Sequence, residues 1–314
     1  MKTTDIRNFI RKSTRFGLYI PLSNLIGVYG SRILPDKLLS ALAHKRNVKI
    51  QRRLTPILDK ILNDTTEYQQ TATPLPSSPI WFCWLQGENE MPPLVKVCLD
   101  SIRRNSAGHP AVIVTEANHR DHVTLDPIVY SRYKSGALKK AHFADMLRIN
   151  LLAQKGGLWL DATMFVAKEF PTYVFDLPFF SIKTKPVGHF VSRCRWAVFC
   201  LGSHKGNPLF AILSELFNEY LRQHDTFIDY FLFDQFIDML YKRIHEIAMQ
   251  VDAVPYSNPD LYELQRVLTQ RFDDNSYRKM TSDTFMFKLS LKQYTADELE
   301  ENQGNFYHHI ASIQ

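Results

Sequence analysis

Over positions 37–62 apolar residues recur at helical spacing: Leu38, Leu39, Ala41 and Leu42, then Ile50, Leu54, Ile57, Leu58 and Ile61. Residues 1–70 read as mostly helical, with breaks near Pro21, Gly27–Gly30 and Pro35. A polar linker at 63–78 divides the chain into a segment 1–75 and a main domain 76–314. Beyond it the period changes. Residues 79–85, Pro-Ile-Trp-Phe-Cys-Trp-Leu, form a short apolar run closed by Gln86-Gly87, the signature of a buried strand. Residues 91–104 predict a helix with Pro92 and Pro93 at its start. A second strand is expected at 111–115. A helix follows at 136–154, stopped by Gly156-Gly157, and then a third strand at 158–160. Residues 207–221 and 226–250 read as helices. Strands alternating with helices predict an α/β fold, a sheet covered on both faces.

Composition adds exclusions. With 45% hydrophobic and 22% charged residues in 314, the chain is neither disordered nor collagen-like. Cys83, Cys98, Cys194 and Cys200 form no C-x-x-C or Cys/His zinc pattern and read as buried thiols in a reducing compartment. The net charge of +6 is unevenly spread: residues 1–53 hold twelve Lys and Arg against two Asp, and the remainder is mildly acidic. A nucleic-acid enzyme needs positive charge along its cleft, so nucleic acid is not an expected partner.

The basic block encloses sixteen uncharged residues between Arg15 and Arg32, Phe16, Leu18, Tyr19, Ile20, Leu22, Leu25, Ile26, Val28 and Tyr29 among them. That run is too short to span about 30 Å of hydrocarbon. Two readings stand. Residues 1–53 dock on an anionic membrane surface, which places the protein peripherally on the cytoplasmic face of the plasma membrane. Alternatively, they form a helical subdomain that packs its apolar face on the body and exposes its charges.

Chemistry is expected where strands end, outside their carboxyl termini. Asp161 follows the third strand and precedes the apolar stretch Met164-Phe165-Val166-Ala167, so it must be solvated, paired or metal-bound. In the helix before it, His142, Asp145 and Arg148 make a polar stripe on an otherwise apolar surface. The stripe reads either as a binding site or as an internal Asp145–Arg148 ion pair that fixes the helix.

Ala144-Asp145-Met146-Leu147-Arg148, followed by Gly156-Gly157-Leu158-Trp159-Leu160-Asp161-Ala162-Thr163, resembles the donor-binding core of GT-A-type glycosyltransferases. The nearest groups are the capsular-polysaccharide-synthesis transferases, fungal initiating mannosyltransferases and glucosylating clostridial toxins. In these an (A/S)-D-x-x-R helix precedes G-G-x-(Y/W)-x-D-x-D. Residues 79–87 resemble the same families' first strand. The resemblance implies a GT-A-like (Rossmann-like) mixed sheet flanked by helices, with a basic helical N-terminal extension. It implies transfer, with retention, from a nucleotide sugar, expected to be UDP-linked, to a surface or capsular glycan or a polyprenyl-linked acceptor.

Roles follow by the same resemblance. Asp161 matches the first Asp of D-x-D, which binds a divalent metal, Mn²⁺ or Mg²⁺, and the ribose or sugar. Thr163 stands where the second Asp, the direct metal ligand, is usual, and a neutral hydroxyl ligates a divalent ion more weakly. His309, beside His308, is the candidate that closes the metal site. Asp145 and Arg148 would hold sugar and ribose hydroxyls, and Trp84 matches the aromatic residue that stacks on the base. Apart from the resemblance, Asp234, an acid inside the aromatic helix around 230–236, is a further catalytic candidate, facing the acceptor or paired with a basic neighbour. The polar loop 203–208, which opens a helix, reads either as an ordinary capped loop or as backbone N–H groups that, with Lys205, meet phosphate. A dehydrogenase is excluded because no G-x-G-x-x-G follows the first strand. A non-catalytic, transferase-like scaffold remains as the alternative to an enzyme.

Overall fold

Seven short strands position the site: β1 (Ile80–Cys83), β2 (Ala111–Val114), β3 (Gly157–Leu160), β4 (Met164–Val166), β5 (Phe179–Ser181), β6 (Cys200–Ser203) and β7 (Met286–Lys288). The computed structural model describes residues 3–30, 33–64, 73, 77–186 and 188–313. The expected domain boundary at 75/76 lies outside these residues.

Five strands form one mixed sheet in the order β2-β1-β3-β6-β5. β1 pairs in parallel with both β2 and β3, and β6 runs antiparallel to β3 and β5. Both faces of β3 are covered, which is why all four of its residues are buried and apolar or Gly. Helix Lys140–Lys155 contacts β3, β6 and helix Pro208–Gln223, which in turn meets helix Asp36–Asp64.

The Gly156-Gly157 pair makes the turn from helix to β3 possible. Both residues have positive φ, 68° and 99°. A Cβ on Gly157 would lie 2.3 Å from the Pro79 carbonyl oxygen, and one on Gly156 would lie 2.6 Å from the Lys205 backbone nitrogen. Only glycine meets both demands. The chain then leaves the main sheet after Leu160 and enters a second, two-stranded sheet at Met164, where β4 pairs antiparallel with β7. Asp161-Ala162-Thr163 is the joint between the two sheets. The Asp161 N–H donates to the Phe199 carbonyl at 2.9 Å, and its own carbonyl accepts from Met164 N–H at 2.9 Å.

The N-terminal segment is helical at Thr3–Phe16, Tyr19–Gly30 and Asp36–Asp64. The first break falls at Gly17, with φ 81°, rather than near Pro21. Pro21 sits in the first turn of its helix, where a missing N–H removes no intrahelical bond. Phe16, Ile20, Ile50, Leu54, Ile57, Leu58 and Ile61 join the same buried core as the main sheet. Polar ties reinforce this packing: Gln51 Nε2 donates to Asp238 Oδ2 at 2.8 Å, and Lys60 pairs with Glu219 at 2.8 Å. Ile10, Leu18, Leu22, Tyr29, Ile33 and Leu38 of this segment are exposed. No helix among the described residues is long and apolar enough to cross a membrane.

The helix expected at 226–250 is instead two, Leu232–Arg243 and His245–Ala253, which meet at Ile244 in an extended conformation. Residues 226–231 are a loop. The Tyr220 hydroxyl donates to the Thr226 carbonyl and accepts from Ile228 N–H, both at 2.8 Å, and holds that backbone out of a helix.

Candidate functional site

β1 and β3 end side by side, with Phe82 opposite Leu160, so the residues that follow, Trp84 and Asp161, reach one cavity. It measures about 540 Å³ and is lined by Trp84, Asp145, Arg148, Asp161, Thr163 and Asp234. All but two of the residues singled out from the sequence as catalytic, donor-binding, phosphate-binding or metal-binding therefore converge; the exceptions are His309 and Lys205.

Arg148 organises the cavity floor. Its side chain is 6% exposed and lies between two carboxylates. Arg148 Nη2 donates to Asp161 Oδ1 at 2.8 Å, and Nη1 lies 3.4 Å from Asp145 Oδ1. The ion pair within the helix is present, but the shorter contact crosses to the strand end. Trp159 Nε1 also donates to Asp161 Oδ1, at 3.0 Å, and the guanidinium lies 4.9 Å from the Trp159 ring. These partners fix one face of Asp161, while a third of its side chain stays open to solvent. His142 Nδ1 lies 3.4 Å from Asp145 Oδ2, and its ring stacks on Phe227 with centroids 4.0 Å apart.

Trp84 is half-buried. It packs partly on the core and partly lines the cavity, and its indole N–H donates to the Glu90 carbonyl at 3.2 Å. An indole fixed by its own N–H leaves ring surface for a flat ligand.

One residue on the cavity wall was not anticipated. Register pairing sets Lys288 opposite Met164, and Lys288 Nζ donates to Thr163 Oγ1. The ammonium also reaches the Leu289 carbonyl at 3.4 Å and sits 5.4 Å from the Phe199 ring. Burial pulls its pKa below the ordinary lysine value, opposed by Asp161 and Cys98. The signal in the sequence is a lysine inside the apolar run Phe285-Met286-Phe287-Lys288-Leu289.

Asp234 is buried and, among the described residues, pairs with no basic neighbour; Trp196 Nε1 donates to its Oδ1 at 2.9 Å. Burial pushes its pKa up to about 7, the Trp196 hydrogen bond opposes, and Asp145 and Asp229 add to the rise. Its proton is thus exchangeable near neutrality. The folded state keeps this proton while the unfolded carboxyl, with a pKa of about 4, has lost it. Stability is therefore lost as pH rises from about 4 to about 7, and the contribution is flat above that. Asp234→Asn keeps an oxygen acceptor for Trp196 and removes the titration. Its unfolding midpoint should gain on wild type as pH rises through this window. Parallel midpoint curves for the two proteins would contradict this.

Two candidates lie elsewhere. The His309 ring stacks on Phe272 at 3.7 Å, edge-on to Tyr277 at 5.0 Å, and burial lowers its pKa. His308 Nε2 is 3.0 Å from Glu300 Oε2. Neither histidine lines the cavity, because the C-terminal helix Phe306–Ser312 anchors its apolar residues in a separate cluster. Lys205 sits by the opposite end of β3, where Gly157 pairs with Ser203.

Divalent cations such as Mn²⁺ or Mg²⁺ call for several charged or carbonyl oxygens aimed at one point. Among the described residues no group of three or more His, Cys, Asp or Glu side chains meets that need. The Thr163 hydroxyl is bound by Lys288, and Asp161 Oδ1 by Arg148 and Trp159. This donor set does not fit a divalent metal.

The profile of a family described as "Capsular polysaccharide synthesis protein" matches residues 32–310. Among solved structures, PaToxG Glycosyltransferase is similar at 15% identity with a TM-score of 0.40, covering 88% of this chain and 97% of that one. No curated protein matches the chain significantly.

Proposed function

The chain belongs to the capsular polysaccharide synthesis protein family, and from that premise we propose that it is a glycosyltransferase acting from the cavity at the ends of β1 and β3. The observation that carries the reading is the Asp145–Arg148–Asp161 cluster beside Trp84, a charged constellation in a fold whose sheet ends form the usual ligand crevice.

The donor is a nucleotide sugar, with UDP the leading carrier. Its base stacks on Trp84, and such stacking contributes about 1–3 kcal/mol. Asp145 and the open oxygen of Asp161 accept hydrogen bonds from sugar and ribose hydroxyls. In the reaction the bond between the sugar anomeric carbon and the diphosphate oxygen breaks, and its electron pair leaves with the diphosphate. The acceptor hydroxyl oxygen bonds to the anomeric carbon and its proton passes to the departing phosphate. Attack from the leaving-group side retains configuration and requires no base on the opposite face. Asp234 shares the cavity and, with a proton exchangeable near neutrality, orients the acceptor hydroxyl.

A second cavity of about 460 Å³ shares His142 and Tyr230 with the first. Arg11, Lys12, Lys139, Asp225, Asp229, Leu25 and Tyr29 line it; the lysines and apolar surface suit an isoprenoid diphosphate carrying the growing glycan, with Arg11 engaged by Asp225. Exposed Leu18, Leu22 and Tyr29 supply apolar contacts with an anionic membrane beside the basic residues of the same segment. Truncation of residues 1–53 is a poor test, because it removes buried Arg46 and Ile50. Replacing Leu18, Leu22 and Tyr29 together by Ser should move the protein from the pellet of anionic vesicles to the supernatant while donor binding holds. Unchanged pelleting at low salt would refute the membrane contact.

The donor reading is tested by thermal shift against a panel of nucleotide sugars. One of them should raise the unfolding midpoint, and Trp84→Ala should reduce that shift without lowering the unliganded midpoint much. A panel with no shift would refute the donor site.

A further inference from the structure

We propose that Lys288 does the work of the divalent cation in this site, so that the donor diphosphate is bound and released through protein cations alone. The inference rests on the donor reading above and adds a residue to it.

Three observations converge. The second position of the D-x-D-like motif is Thr163, and its hydroxyl is occupied by the Lys288 ammonium. Lys288 is delivered there by backbone pairing, since β7 places it opposite Met164 and Leu289 N–H donates to the Thr163 carbonyl at 2.8 Å. The first position, Asp161, is committed on one oxygen to Arg148 and Trp159. A metal ion would have to displace the resident ammonium from Thr163 and would find only the second carboxylate oxygen of Asp161 open to it.

Arg148 is already shared between Asp145 and Asp161, which leaves Lys288 as the cation of the cavity not paired to a carboxylate among the described residues. Arg148 and Lys288 flank the Asp161-Ala162-Thr163 joint, and both line the cavity. A nucleoside diphosphate gains negative charge on its terminal phosphate as the anomeric bond breaks. Fixed cations aimed at that oxygen stabilise the transition state as a metal would, without needing to be recruited from solvent. Lysine suits this role as a compact point charge with three donors, of which Thr163 and Leu289 engage two. Thr163 in this account is a positioning residue: its hydroxyl holds the ammonium, and it ligates nothing.

Titration calorimetry with UDP, GDP and CDP tests the assignment, run in chelator and again in Mn²⁺. The tightest of these should bind wild type equally in both. Lys288→Met should weaken that diphosphate by roughly tenfold or more while leaving the matching nucleoside unchanged, since only the phosphates lose a partner. Lys288→Arg should restore most of the affinity. Thr163→Val, which keeps the charge and loses its anchor, should fall between wild type and Lys288→Met. Thermal midpoints of all variants establish that they are folded. The proposal is overturned if Mn²⁺ tightens wild-type binding at least about tenfold, or if folded Lys288→Met binds like wild type. Nucleoside binding that persists in those cases would leave the donor site standing without the lysine. Binding of no nucleotide in any condition would bring down the donor site and the lysine role together.

Discussion

Asp161→Asn should lower sugar transfer by about 100-fold or more, with the protein still folded. Asparagine keeps the size of the side chain and an oxygen to accept from Arg148 Nη2 and Trp159 Nε1, now at 2.8 and 3.0 Å. It loses the charge that makes the Arg148 contact short and directional. Charge-assisted hydrogen bonds are roughly twice as strong as neutral ones, so the guanidinium is held less firmly. The open carboxylate oxygen also ceases to accept strongly from donor hydroxyls. Misplacement of a reacting group by about 1 Å costs on the order of 100-fold in rate. The check is transfer rate and unfolding midpoint measured on the same preparation. A variant with wild-type turnover would remove Asp161 from the mechanism. Lost turnover with a collapsed midpoint would make it a structural residue.

Arg148→Met should be worse on both counts. Arg148 is 6% exposed and bridges Asp145 and Asp161. Removing one partner of a fully buried ion pair costs about 3–5 kcal/mol. The cost here is smaller, because Asp145 and Asp161 keep 24% and 33% of their side chains in solvent. Methionine fills much of the space beside Trp159 and Phe233, so the loss reports charge more than packing. Donor affinity should fall with stability, since two carboxylates would then face an anionic diphosphate with only Lys288 opposing them. Denaturant titration gives the stability loss. A stable variant that binds nucleotide as wild type does would contradict the bridging role.

Much of the site was legible because it lies close in sequence. The strand ends and the helix between them occupy 80–163, and each announces itself locally: apolar runs bounded by Gly or Pro, and a polar stripe on an apolar helix. Arg148 and Asp161 are thirteen residues apart, and the Gly156-Gly157 turn folds one onto the other. Lys288 was missed because it is 125 residues from its partner Thr163, on a strand only three residues long. Short strands carry little periodicity, which also hides the three-residue β4 and β5, while β6 ends in Gly202-Ser203 and lacks an apolar run within its own bounds. His309 was drawn to the site by family pattern, whereas stacking on Phe272 decides its place. The break at Gly17 rather than near Pro21 shows that a proline's position within a helix matters more than its presence.

The central claim is that the cavity between Trp84, Arg148, Asp161 and Lys288 turns over a nucleotide sugar. Release of nucleoside diphosphate from a panel of nucleotide sugars, followed in chelator, tests it most directly. Wild type should consume one donor of the panel, and folded Arg148→Met should not. No turnover of any donor by wild type, with or without a lipid-linked glycan acceptor, would contradict the claim, as would equal turnover by the two proteins.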